Sequence, residues 1–354
     1  MTVYILGMFC TIALMLMVSK VNCKRVALQT EHHKFYLPNL IKLLPIIPLT
    51  IIAAIRYGVG QDYFYTYTKI FENVLSGHSK DAWGDIGYIL LNKFVAKFSS
   101  DYASIFIVTA VIFCSCIFVA IYKSANNFVM SSYLLVCSGY YFCFLNGMRQ
   151  MIAVSILMLS LRYIENENRL KFTLCIITAM LFHLTAILFI PVYFLYNIKL
   201  SNYKRAIIIF TCYLFSGPLS IVASKIILVT KYGWYIQDSY SSERGGYVST
   251  LMCLGILAFS CVYGTSKDKL FLDLQMLAAC VNAFIGKIPL ASRATWIFGT
   301  SIIFLPNIID SIENRATRRI VKVSVYVLYF IYFLYIIGIK NSNNVLPYRT
   351  IFSR

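Results

Sequence analysis

Residues 102–122 read YASIFIVTAVIFCSCIFVAIY, and this stretch decides the fold class of the chain. It carries no charge and is long enough to cross a hydrocarbon core, which takes about 20 helical residues. Similar runs recur along the 354 residues, which are 59% hydrophobic and only 13% charged, with a mean hydropathy of +0.72. Lipid accommodates helices or closed barrels, and these runs lack the alternation of barrel strands. The sequence therefore predicts an all-α, polytopic integral membrane protein.

The loops between the apolar runs predict the topology. Lysine and arginine concentrate in alternate short loops, as expected of cytoplasmic loops. This distribution accounts for the formal net charge of +18 without a nucleic-acid partner. The run 172–197 is too long for one comfortable span, and a tight hairpin turning near His183 keeps the later basic loops on the cytoplasmic side. We expect about twelve transmembrane helices, both termini outside, and a single helical domain over residues 1–354.

Residues 56–101 form the longest polar segment, and their nearly balanced charges predict an external loop. Within it, residues 82–98 (AWGDIGYILLNKFVAKF) carry apolar side chains at helical spacing, with Lys93 and Lys97 on another face. The pattern predicts an amphipathic helix on the membrane surface, although an ordinary packed surface helix fits equally well. The apolar tail 345–352 (VLPYRTIF) is expected to be external and to dock against the outer face.

Four arginines lie at helix ends on the predicted external side: Arg56, Arg149, Arg244 and Arg293. An ionisable group near the bilayer is costly and usually functional. A snorkelling or structurally paired side chain explains any one of them equally well, but four from distant regions favour a shared anionic pocket. The planar guanidinium binds phosphate through two parallel hydrogen bonds and stays protonated. We therefore predict a site for a diphosphate head group whose lipid tail remains in the bilayer.

The stretch RYGVGQDYFYTY begins the predicted external loop at residue 56. Gly58 and Gly60 allow a tight ligand-binding turn. Asp62 is a candidate general base for a sugar hydroxyl, or an orienting acceptor. Tyr63 and its aromatic neighbours can stack on sugar rings, although an interfacial aromatic belt is the commoner explanation.

Other polar residues are predicted at the same outer edge. His183, at the tip of the expected hairpin, is a second candidate base or a phosphate donor; a packing role explains it equally well. Further candidate substrate-binding residues are Asp85, Asn146 and Gln150.

No metal site, cofactor or disulfide framework is predicted. Most of the eleven cysteines lie inside apolar runs, where cysteine behaves as a small hydrophobe. Cys114 and Cys116 are too close for a CxxC pair, and no histidine cluster accompanies them.

Six sequence blocks resemble the EpsG-like, Wzy-type polysaccharide polymerases. They are RYGVGQDYFYTY (56–67), GDIGYILLNK (84–93), NGMRQMIA (146–153), FHLTA (182–186), SR (292–293) and the PY of the tail (347–348). The blocks occur in order over most of the chain, and the first and third are the most specific. Asp85 stands where the family often has glutamate, and Thr185 stands where it often has serine.

The resemblance implies a membrane glycosyltransferase that needs no cofactor. It would join polyprenyl-diphosphate-linked oligosaccharide repeat units into O-antigen, capsule or exopolysaccharide at the external face of a bacterial inner or plasma membrane. In our hypothesis Asp62 or His183 takes the acceptor proton. The arginines that hold the diphosphates are Arg149, Arg293, Arg244 and Arg56. Membrane lipids, and a flippase and chain-length regulator of the same pathway, are the expected partners.

Two other functions remain open at the level of sequence. A flippase or transporter of lipid-linked oligosaccharide would place charged residues along a path through the bilayer, and the predicted helices are nearly free of them. An O-antigen-type ligase would share the helices and the arginine set, and the sequence separates it poorly from a polymerase.

Overall fold

The structure, a computed structural model, describes residues 1–26, 44–78, 85–229, 233, 247–288 and 291–354. Within these residues it is helical throughout, with no strand and one isolated antiparallel bridge between Arg56 and Thr350. The predicted all-α class is confirmed.

The helices in chain order are α1 (Thr2–Val26), α2 (Ile47–Ala54), α3 (Lys69–Leu75), α4 (Ile86–Ala96), α5 (Ala103–Ser124), α6 (Phe128–Cys137), α7 (Tyr140–Asn146), α8 (Met148–Glu165), α9 (Arg169–Phe182), α10 (Ile190–Asn197), α11 (Asn202–Leu228), α12 (Tyr247–Tyr263), α13 (Lys269–Asn282), α14 (Ala291–Gly299), α15 (Leu305–Asp310) and α16 (Arg315–Phe333). Shorter 3₁₀ or π turns join several of them, including Tyr63–Thr68, Leu184–Phe189 and Leu334–Ile339.

Several described helices are long and apolar enough to cross a membrane. They are Ala103–Ser124, Asn202–Leu228 and Arg315–Ile339, and a fourth span arises if α6 and α7, bent by 51° at their junction, are counted as one. The other apolar helices in the described residues have 10–17 residues, fewer than the 18 taken here as the minimum for a span. The predicted count of about twelve spans therefore stays a prediction.

The chain runs up and down between two ends of the bundle. At one end, which we call the arginine end, lie Asp62, Asp85, Arg149 and Arg293. At the opposite end, the Asn307 side chain bonds the Ser124 carbonyl and the Asn126 amide at 2.7 Å each. The same end carries the turns that begin four helices, whose first-turn amides are capped by side-chain oxygens of Asn127, Asn168, Ser201 and Asn314.

The predicted hairpin within residues 172–197 is confirmed. Helix α9 ends at Phe182, and His183 has an extended backbone with φ −160° and ψ 123°. Just before this break, Leu181 packs against Gly87, near the arginine end. After it, Tyr196 lies within electrostatic range of Glu165 and Glu167 at the opposite end. The chain therefore reverses direction at His183.

The predicted amphipathic helix corresponds to α4, and its expected first residues lie partly outside the described residues, which resume at 85. Its inner face buries Tyr88 and Asn92. Its outer face leaves Ile86, Leu90 and Phe94 exposed by 58, 57 and 59%. An apolar stripe of this kind favours contact with lipid over an ordinary packed surface helix.

The tail 345–352 packs against the segment around residues 55–57, whereas its predicted place on the outer face stays a prediction. The Tyr57 amide donates to the Arg349 carbonyl at 2.9 Å, and the Ile351 amide donates to the Ile55 carbonyl at 2.8 Å. These bonds hold the tail across the start of the loop that contains Asp62.

Candidate active site

The loop between Arg56 and Asp62 requires both of its glycines. Gly58 has φ +61° and Gly60 has φ +97°, a left-handed region that side chains disfavour. A Cβ on Gly60 would lie 2.3 Å from the Leu145 carbonyl oxygen. The tight turn predicted from the sequence is therefore present, and it lies directly against the end of α7.

Asn146 holds this loop in place. Its Oδ1 accepts a hydrogen bond from the Asp62 amide at 3.0 Å, and its Nδ2 donates to Asn343 Oδ1 at 3.3 Å. The side chain therefore connects the turn just before the tail to Asp62. This geometry suits a positioning role, and the substrate contact of Asn146 stays a prediction.

Two arginine–aspartate pairs form the centre of the candidate site. Arg149 Nη1 lies 2.7 Å from Asp85 Oδ2, and Arg293 Nη2 lies 3.5 Å from Asp62 Oδ2. The Asp85 and Arg149 side chains are 7 and 15% exposed, whereas those of Asp62 and Arg293 are 22 and 30% exposed. Four of the predicted site residues, from separate regions of the sequence, are thus brought together, and the Asp62 pair is the more accessible.

The two pairs share one electrostatic environment. Burial raises the pKa of Asp62, and the positive charges of Arg293 and Arg149 oppose that rise. Tyr67 lies within range of Asp62, Arg149 and Arg293, and burial, reinforced by the Asp62 charge, raises its pKa to about 12. Its hydroxyl therefore stays protonated beside the pairs at neutral pH.

Gln150 and Trp296 fix the position of Arg293. Gln150 Nε2 donates to the Arg293 carbonyl at 2.8 Å, which joins the start of α8 to the start of α14. The Arg293 guanidinium lies 5.9 Å from the centre of the Trp296 ring. Gln150 is 3% exposed, so this arrangement makes it a positioning residue for Arg293.

Arg56 and Tyr63 lie beneath the site. Arg56 is completely buried; its Nη1 donates to the Ala53 carbonyl, and its Nη2 contacts Met148 Sδ at 2.9 Å. Tyr63 is 1% exposed and stacks on Phe106 with ring centres 4.0 Å apart. Both side chains are enclosed in this structure, and their contacts with phosphate and sugar stay predictions.

His183 lies at the arginine end and caps the 3₁₀ turn that follows it. Its Nδ1 is 2.7 Å from Thr185 Oγ1 and accepts from the Thr185 amide at 3.4 Å. These contacts engage one ring nitrogen with the turn, and the role of His183 as base or phosphate donor stays a prediction.

Two contributors were missed as site residues by sequence reasoning. Tyr67 was assigned only a stacking role or a place in the aromatic belt. Because it follows Asp62 by about one and a half helical turns, its position in the sequence could have indicated that it lies near Asp62. Asn343 belongs to the run NSNN (341–344), whose asparagines at 341, 343 and 344 adopt positive φ. Arg244 lies outside the described residues.

The described part of the chain contains no group of three or more His, Cys, Asp or Glu side chains arranged to hold a metal ion. The chemistry available at the site is that of two guanidinium groups, two carboxylates and a protonated tyrosine. Guanidinium forks bind phosphate oxygens, and a carboxylate with a raised pKa accepts a proton.

A comparison with protein-family models matches residues 39–350 to the EpsG family. No curated protein and no solved structure matches the chain. The family match spans the loop of Asp62, both arginine–aspartate pairs and most of the tail. It indicates a membrane protein with a polysaccharide polymerase-type role in polysaccharide biosynthesis. The chain belongs to the EpsG family.

Proposed function

We propose that this protein is a membrane glycosyltransferase that polymerises polyprenyl-diphosphate-linked oligosaccharide repeat units into surface polysaccharide. The reaction takes place at the external face of a bacterial cell membrane, where the arginine end lies. One observation carries the proposal: Arg149–Asp85 and Arg293–Asp62 meet at one end of an apolar helical bundle. Family membership supports the reaction class.

Arg293 is the first contact for the donor diphosphate. Its pair with Asp62 is long, at 3.5 Å, and partly exposed, so an arriving diphosphate exchanges with the carboxylate at little cost. Arg149 supplies the second cation, and its Nε has no hydrogen-bond partner among the described residues. Positive charge fixed at this position stabilises the diphosphate as it leaves.

Donor binding also prepares Asp62 as the base. While Asp62 is paired with Arg293, the positive charge lowers its proton affinity. When the diphosphate takes Arg293, that compensation is reduced and the buried carboxylate becomes more basic. Asp62 then takes the proton of the acceptor hydroxyl while the hydroxyl oxygen forms a bond to the anomeric carbon of the donor sugar. The bond from that carbon to the lipid diphosphate breaks, and the diphosphate departs with the electron pair.

His183 lies at the neighbouring hairpin tip. Its Nδ1 is engaged by Thr185 within the turn, whereas Asp62 is a partly exposed carboxylate beside Arg293. We therefore assign the role of base to Asp62.

A flippase is less well supported. The buried ion pair Arg205–Asp273, at 2.7 Å, lies near the starts of α11 and α13 at the opposite end. The described ion pairs thus lie toward the two ends of the bundle, whereas a transport path requires polar groups near the midplane.

Deletion followed by gel analysis of surface glycan tests the proposal. A polymerase deletion leaves single repeat units attached and removes the long chains, and re-expression restores them. Loss of all attached glycan would instead indicate a flippase or a ligase and would overturn the polymerase assignment.

A further inference from the structure

An apolar cleft of about 900 Å³ opens at the side of the bundle. One wall is formed by residues 248–259 of α12, and the other by residues 321–339 of α16 and the π turn after it. Its lining is almost entirely aliphatic and aromatic, for example Ile256, Phe259 and Leu328. A site of this kind takes a hydrocarbon ligand.

The cleft has the length of a membrane-embedded chain. At 1.5 Å per residue, the wall from residue 321 to residue 339 extends about 27 Å. This is close to the hydrocarbon thickness of a bilayer, about 30 Å. The cleft therefore runs along the bundle from near the opposite end to the arginine end.

At the arginine end the cleft meets a cation and the candidate active site. Lys340 follows the lining residue Ile339, and its Nζ lies 5.0 Å from the centre of the Tyr335 ring, which also lines the cleft. Cys143 lies between the cleft and the candidate active site. On the side of the site, the Asn343 side chain contacts the Cys143 Sγ at 4.0 Å.

The electrostatic neighbours of Cys143 also link the cleft to the candidate active site. Cys143 lies within range of Arg293. It also lies within range of Tyr332 in the cleft wall. A ligand with its tail in the cleft therefore has its head group close to the residues that we assign to the diphosphate.

We propose that this cleft holds the isoprenoid chain of the lipid-diphosphate-linked donor, with Lys340 facing the diphosphate at its mouth. The inference rests on the proposed function and adds the place where the lipid tail binds. A long single hydrocarbon chain fits the shape, and a cation at one end matches the charge of its head group.

Two other apolar hollows fit this occupant less well. The hollow beside Ile86, Ile177 and Leu181 has a volume of about 230 Å³. The one beside Arg205, of about 500 Å³, lies at the opposite end, and Arg205 there is already bonded to Asp273. Neither combines length with an available cation at the arginine end.

Gly255 allows the cleft to be filled by one substitution. It lines the cleft, and a Cβ built on it meets nothing within 4 Å. Gly217, inside α11, is the matched control, because its Cβ also meets nothing within 4 Å and it does not line the cleft. Gly255→Trp thus places a large side chain in the cleft, and Gly217→Trp places the same side chain on a helix elsewhere.

The test compares two donors in proteoliposomes made with wild type, Gly255→Trp and Gly217→Trp. One donor carries a full-length polyprenyl chain, and the other carries a short, water-soluble prenyl chain on the same oligosaccharide diphosphate. We expect Gly255→Trp to raise KM for the long-chain donor roughly tenfold or more. Its KM for the short-chain donor and both values for Gly217→Trp should match wild type.

The outcomes separate the two proposals. Wild-type KM for the long-chain donor in Gly255→Trp would overturn the cleft assignment while leaving the polymerase intact. An equal loss with both donors, or the same loss in Gly217→Trp, would also overturn it, because the effect would not depend on the tail. Absence of polymer from wild type with either donor, in proteoliposomes shown to contain correctly folded protein, would instead contradict the proposed function.

A second measurement uses wild-type protein, so it tests the proposal even if Gly255→Trp fails to fold. A photoreactive group on the polyprenyl chain should crosslink wild-type protein within residues 248–259 or 321–339. Labelling confined to other lipid-facing helices would overturn the assignment.

Discussion

Arg293 and Arg149 differ in how easily they give up their aspartates. The Arg293 pair is longer and more exposed than the Arg149 pair. On the proposed function, we therefore expect Arg293 to exchange partners during the reaction and Arg149 to act as a fixed charge. This division follows from the two distances and exposures, and it predicts different mutant behaviour.

Replacing either arginine by alanine should stop chain growth. Loss of one charge-stabilising donor typically slows such a reaction by about 10²–10³-fold, so Arg149→Ala and Arg293→Ala should leave single repeat units on gels of surface glycan. Arg293→Lys should also be impaired, because an ammonium group cannot form two parallel bonds. Arg354→Ala is the control, since its pair with Asp101 at the same end is more exposed than either pair of the candidate site. Full-length polymer from both alanine variants would exclude the diphosphate role.

Asp62 should set the acidic limit of activity. Burial raises its pKa above the ordinary aspartate value of about 3.9, and a base must be unprotonated to act. The rate of polymerisation should therefore fall as the pH drops through this raised pKa. In Arg293→Gln the opposing charge is gone, so the limit of the residual activity should move to higher pH. A pH–rate profile in proteoliposomes measures this, and an acidic limb that persists in Asp62→Asn would exclude Asp62 as the base.

The candidate site could be predicted only in part at the level of single residues. Arg149, Arg293 and Asp62 were found because charges at helix ends stand out in an apolar chain. Arg56 carries the same signal but is enclosed by Ala53, Met148 and aromatic rings. Burial depends on how distant segments pack, and a single sequence does not show this.

Among the elements, the loop of Gly60 offers a sharp test. Gly60→Ala adds left-handed strain of about 1–2 kcal/mol and a collision with the Leu145 carbonyl. Gly77→Ala adds the strain alone, because Gly77 has φ +80° and open space around it. We expect Gly60→Ala to lower Tm in detergent more than Gly77→Ala and to abolish polymer. Equal Tm values with normal polymer from both would show that the contact between the loop and α7 is dispensable.

The tail is the second element that positions the site. Ending the chain after Asn344 leaves the Tyr57 amide and the Ile55 carbonyl without the partners they have in the structure. We expect this variant to enter the membrane but to lose polymer, as seen on gels of surface glycan. A chain ending after Ile351 keeps both bonds and is the matched control. Normal polymer from the shorter chain would remove the tail from the site.

The boundaries of an element could be predicted from the sequence where their physical cause lies in neighbouring residues. The break at His183 was expected from length and charge, and the histidine caps the next turn. The asparagine turn at 341–344 was not expected, because its role depends on Asn146, nearly two hundred residues away.

At the scale of the whole molecule, the assignment of segments to the two ends of the bundle predicts the side of the membrane on which each segment lies. A reporter that is active only outside the cytoplasm should be active when joined after Arg354. The same reporter inserted between Glu167 and Asn168, in the turn at the opposite end, should be inactive, and a cytoplasmic reporter should give the reverse. Matching activity at both positions would contradict the up-and-down arrangement, and the reversed pattern would place the site in the cytoplasm.

The length of the hairpin at His183 also bears on the surrounding membrane. Its two arms have 14 residues in α9 and, after His183, a six-residue 3₁₀ turn followed by eight residues in α10. These arms extend about 21 and 24 Å, less than the hydrocarbon thickness of about 30 Å. Local thinning of the lipid is one way in which a bilayer accommodates a short span. We therefore expect the leaflet beside Asp85 and Arg149 to form a shallow basin, so that, on the proposed function, the hydrated glycan reaches a site set below the surrounding head groups.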